Sequence, residues 1–186
     1  MLNLAPIHAA TASEADLASA RLDDGRLVRW YMDPLFHGRY PADVLDFLGA
    51  DAPRIEAGDM ASIATPMDFL GINYYSRSVA SADGSWRAGS SGLALTDMGW
   101  EIYPKGIYDV LTRLHREYGV QNLYVTENGG AFPDVLLHDG RVEDRDRIDY
   151  LHSYLGAVGR AIADGVPVRG YFVWSLLDNF EWGQGY

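Results

Sequence analysis

Three runs of strand-forming residues, Phe69–Tyr75, Asn122–Thr126 and Val168–Leu177, are separated by stretches whose apolar residues recur at helical spacing. Runs this continuously apolar suit strands buried on both faces, and such strands occur in parallel sheets covered by helices. A fourth, shorter run, Met1–Ala5, stands at the start of the chain. Between the runs, Pro104–Tyr118 reads as a helix with Ile107, Val110, Leu111 and Leu114 on one buried face. Asp146–Ala163 reads as another, with Ile148, Leu151, Leu155, Val158 and Ile162 on one face and Asp164-Gly165 as its stop. An earlier helix starts at Ser13, an N-cap with Asp16 three residues on, which is a loose capping box. Its apolar positions Leu17, Ala20, Leu27 and Val28 lead into Trp30-Tyr31 and a loop at Asp33–Phe36. Residues 78–96, rich in Gly, Ser and Ala, read as the least structured region. The pattern predicts the α/β class, without internal repeat or domain linker.

With 186 residues the chain can bury one core of useful size. A net charge of −11 argues against nucleic acid or an anionic membrane as partner, and reads as a solvated surface. There is no cysteine, which excludes disulfides and thiolate metal sites and suits a cytoplasmic location. No apolar run reaches the roughly 18 residues of a membrane helix, and Met1–Pro6 lacks the basic and apolar regions of a signal peptide. The five histidines show no ligand spacing, so neither metal nor other cofactor is expected. Gly-rich phosphate loops are absent, and Gly89-Ser90-Ser91-Gly92 lacks the strand context of a nucleophilic serine elbow.

Chemistry concentrates in two places. Leu123-Tyr124-Val125 runs through Thr126 into Glu127, and Asn128-Gly129-Gly130 turns at once. A strand that delivers a carboxylate to the start of a loop is how a (β/α) barrel presents a catalytic group. Taken alone, such a carboxylate is more often a solvated strand end. Downstream, the run from Gly170 ends among Trp174, Glu181 and Trp182, residue types that stack on a sugar and hydrogen-bond its hydroxyls. A whole barrel needs eight strand–helix units and about 250 residues. Four strands therefore leave two architectures open, a small open sheet or half a barrel.

Thr126-Glu127-Asn128-Gly129 after an apolar strand, with Asn73-x-Tyr75 upstream and Glu181-Trp182 downstream, resembles glycoside hydrolase family 1, the retaining β-glucosidases. The resemblance covers essentially every residue. It implies a TIM (β/α)8 barrel of which this chain holds about strands five to eight, the C-terminal portion of one domain truncated at both ends. It makes Glu127 the nucleophile of a double displacement, with a second carboxyl about 5 to 5.5 Å away in retaining enzymes. The family carries that acid/base in Asn-Glu-Pro, which does not occur here, so the chain alone is expected to be inactive. Tyr75 would donate to the nucleophile and keep it anionic and oriented. Asn73 and Trp174 would meet the sugar, Trp174 as the floor of the glycone subsite. Glu181 would accept from two hydroxyls, Trp182 would donate its indole N–H, and Trp100 would line the aglycone side. With no Lys near Glu181, an unphosphorylated β-glucoside or short oligosaccharide is the expected partner. The alternatives are a non-catalytic sugar-binding half-barrel, or a thioglycosidase, galactosidase or fucosidase of the same family.

Overall fold

The structure, a computed structural model, describes residues 1–185. Its strands are β1 (Leu2–Asn3), β2 (Ile7–Ala9), β3 (Leu70–Asn73), β4 (Ser78–Ala80), β5 (Leu123–Asn128) and β6 (Val168–Val173). Four of them form one parallel sheet in the order β1-β3-β5-β6. All four runs read from the sequence are therefore neighbours in one sheet, including the short one at the start. The helices are α1 (Glu14–Asp24), α2 (Trp30–His37), α3 (Ala42–Leu48), α4 (Asp59–Ile63), α5 (Pro104–Tyr118) and α6 (Arg145–Ala163).

The core lies between this sheet and its helices. Leu70 and Ile72 of β3 and Leu123 and Val125 of β5 meet Ile107, Val110, Leu111 and Leu114 of α5. Helix α5 follows its sequence signals throughout. Pro104 occupies the first turn, where its missing N–H is no loss, and Gly119 closes the helix in the left-handed conformation.

Helix α6 departs from expectation. Its buried face is Tyr150, Tyr154, Ala157, Val158 and Ala161. Of the aliphatic face read from the sequence only Val158 is buried and Leu151 half-buried, whereas Ile148, Leu155 and Ile162 are exposed. The tyrosines take the inside because their rings fill the space behind β3 and β5 while their hydroxyls find partners there.

Other corrections are local. The Ser13 hydroxyl caps α1 by accepting from Asp16 N–H at 3.2 Å, but the box is not closed. The Asp16 carboxylate accepts instead from the Thr11 hydroxyl and from Ala82 N–H. Ala20 and Val28 are buried, but Leu17 and Leu27 are exposed. The loop expected at Asp33–Phe36 is helical: a π-helical turn at Gly25–Arg29 joins α1 to α2, which runs through Pro34. Residues 78–96 are not all loop, since β4 pairs in parallel with β2 as a second, two-stranded sheet. The last strand stops at Val173 rather than Leu177, although Trp174 N–H still donates to the Asn128 carbonyl at 3.0 Å.

Candidate active site

Side chains on a regular strand alternate between faces, so Val125 and residue 127 should point the same way. They do not. Buried positions on β5 are Leu123, Val125 and Asn128, a slip from a spacing of two to one of three. Register irregularities fall at the same place, between Ile72 and Asn73 on the β3 side and between Val125 and Asn128 on the β6 side. A one-residue slip moves side chains to the opposite face. It swings Asn128 into the core and leaves the Glu127 carboxylate on the other face. The sequence reading, which ended this strand at Thr126, had no sign of this.

Glu127 meets Tyr75 there. The Tyr75 hydroxyl donates to Glu127 Oε2 at 2.6 Å, and Tyr74 N–H donates to the Glu127 carbonyl at 3.0 Å. Burial first, and then the Glu127 carboxylate, push the Tyr75 phenol well above its ordinary range, so it remains a proton-bearing donor. The Glu181 charge acts on that phenol in the same direction. Asn73 pairs in register with Glu127, and its Oδ1 accepts from the Thr126 hydroxyl at 2.8 Å. The Trp100 ring lies against Tyr75 with centroids 5.3 Å apart.

Asn128, read from the sequence only as a turn residue, is a hub. It is fully buried. Its amide donates to the Tyr74 carbonyl at 2.7 Å and to the Tyr150 hydroxyl at 3.1 Å, and its Oδ1 accepts from the Tyr171 hydroxyl. β3, β5, β6 and α6 are thus joined at one amide beside Glu127. Tyr150 and Tyr154 stack with centroids 4.1 Å apart, and burial pushes the Tyr154 hydroxyl up to about 12. The unusual number of tyrosines, 12, was the available signal for a polar core.

Beyond β6 the arrangement is looser. Trp174 donates its indole N–H to Glu181 Oε2 at 3.4 Å, and Asn179, which the sequence did not single out, donates to the same oxygen at 2.8 Å. The Ser175 hydroxyl holds Asn179 Oδ1 at 3.1 Å. Trp182 is not gathered in with them. It begins a short 3₁₀ turn with a positive φ of 46° and is 85% exposed. Gly129 joins the two regions, because a Cβ there would run into the Trp174 carbonyl oxygen. Among the described residues, no group of three or more His, Asp or Glu side chains is placed to hold a metal ion.

The geometry gathers Asn73, Tyr75, Glu127, Trp174 and Glu181 at the C-terminal ends of adjacent parallel strands, where (β/α) barrels carry their chemistry. Comparison with known proteins points the same way. The chain is 46% identical over 182 residues to a 1,4-beta-D-glucan glucohydrolase of Thermotoga neapolitana, an alignment covering 91% of this chain and 43% of that protein. It is 44% identical to beta-glucosidase A of Thermotoga maritima, covering 91% of this chain and 41% of that one. Among solved structures, a family 1 β-glucosidase from Thermotoga maritima in complex with isofagomine lactam superposes with a TM-score of 0.89 at 41% identity. That match covers 98% of this chain and 42% of the solved one. A β-glucosidase from Exiguobacterium antarcticum gives a TM-score of 0.90 at 42% identity, over 99% and 43% of the two chains. The chain thus spans less than half the length of these relatives. The fold is that of their α/β barrel, and since the family model for glycosyl hydrolase family 1 matches residues 1–186, the chain belongs to that family.

Proposed function

We propose that this chain carries the nucleophile half of a β-glucosidase site, from about strands five to eight of the barrel, with Glu127 as the attacking carboxylate. The observation that carries the reading is the 2.6 Å hydrogen bond from Tyr75 to Glu127 at the C-terminal end of β5. A carboxylate that must attack an anomeric carbon has to stay ionised and aimed, and a phenol too basic to ionise serves both needs. In the first step an oxygen of Glu127 bonds to the anomeric carbon while the glycosidic oxygen leaves with its electron pair. In the second, water bonds to that carbon as the Glu127 carboxylate leaves, its proton passes to the acid/base carboxylate outside this sequence, and the configuration is retained. Trp174 would form the floor under the sugar ring, Glu181 would take two hydroxyl hydrogen bonds, and Trp182 and Asn73 would reach neighbouring hydroxyls. The names of the relatives support a small β-glucoside as the substrate class, and inhibitor complexes of the Thermotoga maritima enzyme support a sugar-shaped pocket in the whole enzyme.

Protonation of the leaving group belongs to a carboxylic acid outside this sequence, which contains no Asn-Glu-Pro. The chain by itself should therefore hydrolyse ordinary aryl β-glucosides at close to the background rate, and normal turnover would refute this part of the reading. The nucleophile is tested with a 2-deoxy-2-fluoro-β-glucoside bearing a dinitrophenolate, which departs without acid help. Intact mass should show one adduct per chain, mapped to Glu127 and abolished in Glu127→Gln. An adduct elsewhere, or none on a chain that melts cooperatively, overturns the assignment.

A further inference from the structure

Three consecutive residues after β3 each touch the segment around Trp100. The Tyr75 ring lies against the Trp100 ring, the Ser76 hydroxyl donates to the Glu101 carbonyl at 2.8 Å, and Arg77 Nε donates to Glu101 Oε2 at 2.7 Å. The ion pair is withdrawn from water, with side-chain exposures of 13% for Arg77 and 4% for Glu101. Glu101 Oε1 is occupied as well, by the Ser91 hydroxyl and by Gly89 N–H. The Arg77 guanidinium also sits over the Tyr103 ring, 4.5 Å from its centroid. Tyr103 in turn accepts from Tyr74 through its carbonyl and donates through its N–H to Tyr154. On the loop side, Leu95 bridges Glu101 and Thr96 N–H donates to the Trp100 carbonyl.

Burying two charges is costly, and an apolar pair of similar size would stabilise the fold at least as well. What an ion pair with every oxygen engaged adds is register, since a shifted loop would leave one charge buried without its partner. We infer that the Arg77–Glu101 pair is a positioning device: Glu101 clasps the loop of residues 89–101 to the strand end that carries Tyr75, setting Trp100 against Tyr75 and hence against Glu127. Glu101 would then govern how the aglycone side receives an aromatic leaving group. The functional part of this inference rests on the roles proposed above for Glu127 and Trp100.

Two variants test it. Glu101→Gln removes the charge while keeping the shape. The double variant Arg77→Met/Glu101→Met removes both charges, so that no orphan ion is left to unfold the chain. In chain labelled with fluorotryptophan, the Trp100 fluorine resonance, assigned through Trp100→Phe, should move toward its denatured position in both variants. Those of Trp30 and Trp174 should stay. An unmoved Trp100 signal overturns the inference, whether or not the chain reacts with any glycoside. The second measurement compares 2-deoxy-2-fluoro-β-glucosyl reagents bearing dinitrophenolate or fluoride. The concentration needed for half-maximal labelling should rise about five- to tenfold for the aromatic reagent, the affinity of one aromatic contact, and stay unchanged for the fluoride. Equal losses with both reagents would mean general loosening and would overturn the positioning role. Failure of the unsubstituted chain to label with either reagent counts against the nucleophile assignment alone, and the fluorine signal still decides the present inference.

Discussion

The two halves of the candidate sugar site are held in different ways. Around Glu127, β3, β5, β6 and α6 converge on one buried amide, Asn128, and the residues that position the carboxylate lie in the core or at its edge. After β6, Glu181 is placed by a serine, an asparagine and a tryptophan that all lie within seven residues of it. That segment is exposed, with Leu176 at 94% and Trp182 at 85%. The proposed nucleophile is fixed by tertiary packing, whereas the proposed sugar-contacting groups are fixed by local hydrogen bonds. A barrel can thus hold its nucleophile constant while its loops vary.

The sharpest way to break this contrast is Asn128→Ala. It strands the Tyr74 carbonyl and the Tyr171 hydroxyl and leaves the Tyr150 hydroxyl only its long bond to the Tyr75 carbonyl, and buried polar groups left without partners cost about 1–3 kcal/mol each. Urea unfolding should show a loss of about 3–5 kcal/mol, allowing for partial relaxation. Glu181→Ala, by contrast, should stay within about 0.5 kcal/mol, as surface substitutions do. Equal losses would mean that the segment after β6 is as much part of the core as Asn128.

Gly129→Ala comes next, because it acts where the two halves touch. Its methyl meets backbone, the Trp174 carbonyl, which cannot rotate out of the way. Overpacking of this kind costs about 1–3 kcal/mol. Labelling of Glu127 by the fluoro-sugar should slow as Trp174 is displaced, although no side chain that touches sugar has been altered. Unchanged stability and labelling would show that the post-β6 backbone yields freely and that the halves are independent.

The contrast also explains what was legible in the sequence. Helix α5 was read correctly because its aliphatic spacing, first-turn proline and terminal glycine all gave the same answer. In α6 two apolar faces compete. The aliphatic stripe of Ile148, Leu155 and Ile162 won the reading, but the tyrosine and alanine face won the burial. Tyrosine enters a core only when its hydroxyl has a partner, and those partners, Asn128 and the Tyr75 carbonyl, lie on other strands. The exposed stripe is the kind of face that an adjacent helix covers in an eight-unit barrel. Glu127, Tyr75 and the carboxylate at Glu181 were visible as motifs because family resemblance is carried by local words. The slip in β5 that separates Glu127 from Asn128 was not, because a bulge is decided by pairing with neighbouring strands.

The smallest effect expected is at Trp182, and its sign is informative. Its φ of 46° is a conformation that costs a non-glycine residue roughly 1–2 kcal/mol. The ring is too exposed to recover that by burial. Trp182→Gly removes the strain but enlarges the freedom of the unfolded chain, at a cost of roughly 0.5–1 kcal/mol. A net gain below about 1 kcal/mol should therefore appear as a slightly higher urea midpoint. The concentration of fluoro-sugar needed for half-maximal labelling should rise at the same time, because the proposed indole donor is gone. Such a trade would mean that the segment folds cooperatively with the barrel and holds a strained residue for the sake of the sugar. If the midpoint does not move while labelling weakens, the segment opens independently of the core. The contrast between the two halves would then extend from how they are held to how they unfold.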